Sequence, residues 1–107
     1  MKNEVIENRI ISKMDTLRRT IPELFSEVST SYRQKVVYNL LNIVKGGDMN
    51  QFLWTLLRLV NARHDHSKAA EIAKTLNELY GYSSKFFEKW AYSIIMGIMS
   101  VKTEGGE

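Results

Sequence analysis

The only cluster in this chain whose residue types suggest catalysis or metal binding is His64-Asp65-His66. Two imidazoles two residues apart point to different faces of a helix, which excludes a helical i, i+4 metal site. On a loop they can share a metal, but the chain has no cysteine and no third histidine to complete a tetrahedral ligand set. A triad with Ser67 also fails, because adjacency in sequence is not the geometry that a triad needs. We therefore expect no metal site here, and Asp65 is instead a possible cap of the following helix.

Gly46-Gly47 is the next feature to test for chemistry, because glycine pairs occur in phosphate-binding loops. The pair lacks both the G-x-x-x-x-G-K frame and a preceding strand, so we interpret it as the end of a helix. Paired carboxylates in an apolar setting cannot be identified either. We expect a protein that is not an enzyme and that binds no cofactor.

Basic residues are concentrated in the middle of the chain. The net charge is +3, and residues 31–74 hold seven basic against three acidic residues, a balance of +4. A localised positive charge is typical of a protein that binds a phosphate backbone. The alternative is a solvated face that only keeps the protein in solution. The candidate nucleic-acid-binding residues are the cations Arg33, Lys35, Lys45, Arg58, Arg63 and Lys68.

Several of these cations fall on two polar helical stripes. The first stripe comprises Lys35, Tyr38 or Asn39, Asn42 and Lys45, and the second comprises Asn50, Trp54, Arg58 and Asn61. Cationic and amide side chains with an interleaved tryptophan are what backbone contacts combined with base stacking use. For Trp54 itself, we expect a core position beside Leu53 and Leu57.

The elements that must position these residues are helices, because apolar residues recur at helical spacing throughout the chain. The first apolar stripe consists of Ile6, Ile10, Met14, Leu17 and Ile21, after which Pro22 ends or restarts the helix. The remaining segments are predicted over Glu23–Val28, Tyr32–Lys45, Asp48–Asn61, Ser67 to Gly81, and Lys85 to about Val101. We predict an all-α bundle of five to six helices, with one domain over residues 1–102 and a disordered tail over 103–107.

Capping residues sharpen these boundaries. Ser29-Thr30-Ser31 supplies N-cap candidates, and Asp48 with Gln51 three residues later is typical of a capping pair. Ser67 is the predicted cap of the fifth segment, and Ser83 or Ser84 that of the last helix.

The last predicted helix is apolar on most of its surface. Phe87, Trp90 and Ile94 continue one stripe, and Met96 and Met99 extend the apolar surface around it. Such a helix is either buried at the centre of the bundle or partly covered by another protein chain.

Composition limits the class of protein. A chain of 107 residues with 44% hydrophobic content has room for one core, and the absence of cysteine excludes disulfides. The longest apolar run, over residues 94–99, is far shorter than the roughly 18 residues of a membrane helix. With no secretory signal visible, we expect a soluble, cytoplasmic protein without membrane contact.

A helix-turn-helix interpretation is the first functional alternative to test, since Gly46-Gly47-Asp48 makes a short turn between two helices. A recognition helix must present polar side chains to base edges, and the segment after this turn leaves only a narrow polar strip. We therefore expect sequence-independent binding to phosphates rather than sequence-specific recognition.

The stretch from Val37 to Leu41, followed by Gly47-Asp48 and the apolar helix ending Leu57-Arg58-Leu59-Val60-Asn61, resembles a known family. It is similar to the small all-helical subunits of type I CRISPR surveillance complexes (Cascade) and to the helical C-terminal regions of their large subunits. The similarity covers about residues 30–100 and contains no diagnostic catalytic or metal-binding frame.

The resemblance implies a non-catalytic subunit that contacts copies of itself and the large subunit. Its basic surface would hold the guide RNA, the target DNA and the displaced strand by their backbones, an exchange of duplexes that is nearly balanced in energy. Two other functions stay open: a protein–protein adaptor that docks through the last helix, and a small dimeric DNA-binding regulator.

Overall fold

Five α-helices make up almost all of the protein that the computed structural model describes, namely residues 2–63, 65–82 and 84–101. They are α1 (Lys2–Glu23), α2 (Thr30–Lys45), α3 (Met49–Arg63), α4 (His66–Tyr82) and α5 (Ser84–Ser100). No strand occurs in these ranges, so the prediction of an all-α bundle is confirmed. The predicted tail over 103–107 and the cap candidate Ser83 lie outside the described residues.

Side-chain caps set where three of the helices begin. The Ser29 side chain accepts a hydrogen bond from the backbone N–H of Tyr32, and Asp48 Oδ1 accepts one from the N–H of Gln51 at 3.0 Å. The predicted cap at Asp48 is therefore confirmed. For α4 the prediction of Ser67 is wrong, because Asp65 Oδ1 accepts the backbone N–H of Lys68 at 3.0 Å and the helix begins at His66.

The predicted short helix over Glu23–Val28 is instead a run of turns. Helix α1 continues through Pro22 and ends at Glu23, after which the N–H of Leu24 bonds to the carbonyl of Ile21 and that of Phe25 to Pro22. These tight i to i+3 bonds leave Leu24 and Phe25 buried. The turns therefore carry apolar side chains into the core without forming a sixth helix.

The helices form a closed ring of neighbours around the core. Following the ring, α1 packs on α5, α5 on α2, α2 on α3, α3 on α4, and α4 closes back on α1. Helix α3 also touches α5 across the ring. The largest fully buried side chains come from all these helices and from the turns after α1: Ile21, Phe25, Leu40, Phe52, Leu56, Leu76, Leu79, Ile94, Ile95 and Ile98.

Helix α5 lies between α1 and α2 and buries one face completely. Trp90 and Phe87 pack edge-to-face, 5.5 Å between ring centroids, and the Trp90 indole N–H donates to the carbonyl of Met14. On the opposite face, Met96 and Met99 are more than half exposed. The expectation of a buried helix is therefore met on one side, and contact of the other side with another protein chain stays a prediction.

Among the described residues, no helix combines the length and the apolar character that a membrane crossing requires.

Candidate nucleic-acid interface

Helices α2 and α3 form an antiparallel hairpin that carries most of the predicted cations. Gly46, Gly47 and Asp48 connect the two helices, and Gly47 adopts a φ of 79°, which only glycine adopts without strain. At the open end of the hairpin, the Arg63 guanidinium lies 5.4 Å from the centroid of the Tyr32 ring. Because the two ends of the hairpin meet in this way, α2 and α3 run side by side along their length.

The solvent-facing side of this hairpin carries both polar stripes. All of its members are exposed: Lys35, Tyr38, Asn39, Asn42 and Lys45 on α2, and Asn50, Trp54, Arg58 and Asn61 on α3. We call this set the hairpin face. The opposite sides of both helices hold core residues such as Leu40 and Leu56, which fixes the rotation of each helix about its axis.

The residues of the hairpin face include three cations and no carboxylate. Asp48 is the only acidic residue between Thr30 and Arg63, and its side chain caps α3. Within the described ranges, the salt bridges involve Lys13, Glu78, Arg18 and Asp15, none of which belongs to the hairpin. Lys35, Lys45 and Arg58 therefore keep their charges available to an external anion.

The three cations of the hairpin face are spread along its length. Lys45 ends α2 beside the connecting turn, and Lys35 lies ten residues earlier, which is about 15 Å along a helix. Arg58 lies about as far from the turn on α3, so it is level with Lys35. This distribution suits an extended polyanion better than a single small anion.

Arg33 lies away from this face, which contradicts its selection as a surface cation. Its side chain is 5% exposed, and its guanidinium donates to the carbonyls of Val28, Ile98 and Val101 and to Thr30 Oγ1. The carbonyls of Ile98 and Val101 lie at the C-terminal end of α5, where backbone acceptors lack helical partners and positive charge is favoured. Arg33 therefore joins α2 to the end of α5 and is unavailable to phosphates.

Arg63 and Lys68 are exposed but belong to a different surface. Both line a groove of about 430 Å³ beside α1, together with the carboxylates Glu23 and Glu27. Lys68 also lines an adjoining groove of about 340 Å³, which contains Glu71. The six predicted residues thus do not form one track: three share the hairpin face, two lie among carboxylates, and one is buried.

The position of Trp54 also differs from expectation. The prediction that it belongs to the core is wrong, since 55% of the side chain is exposed. Leu53 and Leu57 are buried on one side of it, and Trp54 projects between Asn50 and Arg58 on the hairpin face. Tyr38 of α2 is 70% exposed. The helical spacing of the polar stripe predicts an exposed Trp54, whereas the size and apolar character of the tryptophan side chain predict a core position.

The remaining chemical candidates add no reactive group. His64 lies outside the described residues, and Asp65 acts as a helix cap. The described part of the chain contains no cluster of three or more histidine or carboxylate side chains suited to a metal. Between α1 and α4, a hydrogen bond from Lys13 lowers the pKa of Glu78, and the positive charges of Lys13, Lys74 and Arg9 lower it further.

Comparison with known proteins identifies no relative. No protein-family model matches the chain, and no curated protein or solved structure matches it. The similarity to Cascade small subunits therefore stays a prediction from the residues that carry it.

Proposed function

We propose that the protein is a non-catalytic nucleic-acid-binding subunit that holds phosphate backbones on its hairpin face. The observation that carries this proposal is the set of exposed cations Lys35, Lys45 and Arg58 on two adjacent helices that contain no carboxylate of their own, with the exposed Asp48 only in the turn between them. Amide side chains between them can donate hydrogen bonds to phosphate and sugar oxygens, as is common at such interfaces. None of these contacts distinguishes one base sequence from another.

Within this proposal, the resemblance to Cascade small subunits supplies the setting. The hairpin face would contact the backbone of the guide–target hybrid and of the displaced strand, next to copies of this chain and a large subunit. Because exchanging a DNA duplex for a hybrid duplex is nearly balanced in energy, a few phosphate contacts suffice to favour the bound state. The basic character of the face supports this function, and the chemistry itself would belong to other subunits.

Salt-dependent binding tests the backbone contacts. Three phosphate contacts predict that log affinity falls against log salt with a slope of about −2 to −3, measured by fluorescence anisotropy with labelled oligonucleotides. Lys45→Glu with Arg58→Glu should reduce the slope to below about 1 in magnitude. The matched control is Arg63→Glu with Lys68→Glu, which makes the same charge change away from the hairpin face and should leave the slope nearly unchanged. Equal effects of the two double variants would exclude the hairpin face as the binding surface.

Co-purification tests the setting. A tagged chain expressed in its native cells should retain a guide RNA and other subunits, and the variant with Lys45→Glu and Arg58→Glu should lose the RNA. Recovery of neither RNA nor helicase-type and guide-binding subunits would contradict the Cascade assignment while leaving backbone binding in place.

An adaptor function is the second candidate, favoured by the exposed methionines of α5. Met96 and Met99 are 58% and 54% exposed, and methionine suits an adaptable protein contact. An adaptor would lose its protein partner on replacement of both methionines by glutamate and would be insensitive to charge reversal at Arg58. A nucleic-acid-binding subunit would lose oligonucleotide affinity on charge reversal at Arg58 and would keep that affinity when both methionines are replaced by glutamate.

A further inference from the structure

Trp54 is exposed in the middle of α3, where most neighbouring side chains are buried. Helix α3 packs against α2, α4 and α5, and it buries Phe52, Leu53, Thr55, Leu56, Leu57 and Val60. Over residues 52–60, the middle of α3, only Trp54 and Arg58 are exposed, and the tryptophan is the larger of the two side chains. Since 55% of Trp54 is exposed in the described part of the protein, its side chain is available to an external ligand.

The surroundings of Trp54 indicate the chemistry of that ligand. Along α3, Asn50 lies one turn before the ring and Arg58 one turn after it, and both are exposed. A planar apolar surface beside a cation and an amide matches a nucleotide, whose base can stack on the ring while its phosphate contacts the cation. An acidic protein surface would pair with the cation but would offer no base to stack on the face of the ring.

Helix α2 repeats this arrangement. From the open end of the hairpin towards the turn, α2 presents Lys35, Tyr38 and Asn42, and α3 presents Arg58, Trp54 and Asn50. Because the helices are antiparallel, both follow the same order of cation, aromatic ring and amide. At about 1.5 Å per residue, the two rings lie at similar distances of about 9–12 Å from the connecting turn. Two rings at one level, with cations beyond them, can receive successive bases of one strand.

We propose that Trp54 and Tyr38 stack the bases of a single-stranded nucleic acid, so that the hairpin face selects unpaired nucleotides over duplex. This inference rests on the proposed function, since it requires the same cations to hold the backbone. A duplex keeps its base faces stacked inside the helix and offers only phosphates to the hairpin face, whereas an unpaired strand offers both groups. DNA and RNA share this chemistry, because every base has a stacking surface.

The test compares single-stranded and duplex probes of the same length on the full chain. Fluorescence anisotropy measures affinities for labelled dT20, rU20 and a 20-base-pair DNA duplex in Trp54→Ala, Trp54→Phe and the unmodified protein. Removal of the ring should weaken binding of both single strands about five- to 150-fold. Duplex affinity should change less than about twofold, and the salt slope should stay unchanged because stacking releases no counterions. Trp54→Phe should restore most of the single-strand affinity.

A fluorescence measurement identifies the ring directly. Trp90 is 2% exposed, so quenching of tryptophan emission by added dT20 reports on Trp54 and should disappear in Trp54→Phe. Met96→Ala is the matched control, because it also shortens an exposed apolar side chain but lies on α5. It should leave every affinity unchanged.

The possible outcomes separate this inference from the proposed function. Equal binding of single strands and duplex, with no effect of Trp54→Ala but a loss on charge reversal at Lys45 and Arg58, would overturn stacking and leave backbone binding intact. Absence of binding to all three probes at low salt would overturn both. Unchanged oligonucleotide affinities together with the loss of a protein complex in Trp54→Ala would make the ring a protein contact and overturn stacking.

Discussion

Gly97 of α5 lies directly against the ring of Pro22 in α1. A Cβ atom added at Gly97 would be 2.7 Å from Cγ of Pro22, closer than such atoms approach in proteins, and 3.7 Å from the carbonyl of Arg18. The proline ring is part of the backbone and cannot rotate away. The glycine therefore sets how closely α5 approaches α1, and Pro22 contributes to the packing of the bundle although it lies at the end of a helix.

Gly97→Ala should therefore destabilise the protein. Alanine has a helix propensity about 1 kcal/mol more favourable than that of glycine. Overpacking costs about 1–3 kcal/mol, and we expect a cost in the upper part of this range because the proline ring is rigid. We expect a net loss of about 1 kcal/mol in the free energy of unfolding, measured by chemical denaturation. Gly46→Ala is the control, since a Cβ there would lie 3.4 Å from its nearest neighbour at a helical φ of −75°. A stabilised Gly97→Ala protein would show that α1 and α5 separate easily.

Arg33→Met should be among the most destabilising substitutions outside the apolar core. It removes hydrogen bonds to three carbonyls and to Thr30, of which those to the carbonyls of Val28 and Ile98 are buried and that to Val101 is partly buried. We expect a loss of about 2–4 kcal/mol in the free energy of unfolding. Lys35→Met makes the same charge change at an exposed position and should cost less than about 0.5 kcal/mol. Similar stabilities of the two variants would contradict the structural role of Arg33.

The contrast between these two cations shows which features a sequence can predict here. Helical periodicity assigns the exposed position of Lys35 and the buried positions of Leu40 and Leu56, because it depends only on residues within the same helix. Arg33 is buried because the C-terminal end of α5, 65 or more residues away in sequence, covers it. No local pattern contains that information. The contact between Gly97 and Pro22 cannot be predicted from a local sequence pattern for the same reason.

Trp54 illustrates a different limit. Its position in the polar stripe and its apolar character made opposite predictions, and the structure follows the stripe. The deciding factor is that Leu53, Leu56 and Leu57 already occupy the inner side of α3, where a bulky ring would have to displace them. Where periodicity and residue type disagree in such a helix, an exposed aromatic ring is a reason to look for a ligand.

Thr55→Val should leave stability unchanged or raise it. Thr55 is 8% exposed, and in the described part of the protein its Oγ1 has no hydrogen-bond partner. Replacing the hydroxyl by a methyl group of similar size removes the cost of burying an unpaired polar atom, and we expect a gain of up to about 1 kcal/mol. Thr55→Ser retains the hydroxyl and loses a methyl group, so it should destabilise. Thermal and chemical denaturation of both variants distinguish the two effects, and a destabilised Thr55→Val protein would indicate a bound water at this hydroxyl.

The contact between Lys13 and Glu78 should appear as a pH effect. Their hydrogen bond lowers the pKa of Glu78 in the folded protein below its ordinary value. A carboxyl group whose pKa is lowered by folding stabilises the protein above its unfolded pKa, and this contribution disappears as the pH falls through the folded pKa. Both side chains are partly exposed, so the contribution is small. In Lys13→Met, an NMR titration should show the pKa of Glu78 rising, whereas Lys35→Met should leave it unchanged; no rise in Lys13→Met would contradict the contact.

The exposure of the two tryptophans predicts different accessibility to a soluble quencher. In Trp54→Phe the only tryptophan is Trp90, and since it is 2% exposed and packed against Phe52 and Phe87, iodide should hardly quench its emission. The unmodified protein should show a second, readily quenched component at longer wavelength from Trp54. Iodide is an anion, so neighbouring Arg58 should increase this quenching at low salt, and Arg58→Glu should reduce it. Equal quenching in the Arg58→Glu protein would mean that the charge at Arg58 does not attract anions to the ring of Trp54. The electrostatic basis for binding the phosphate of a nucleotide whose base stacks on Trp54 would then be absent.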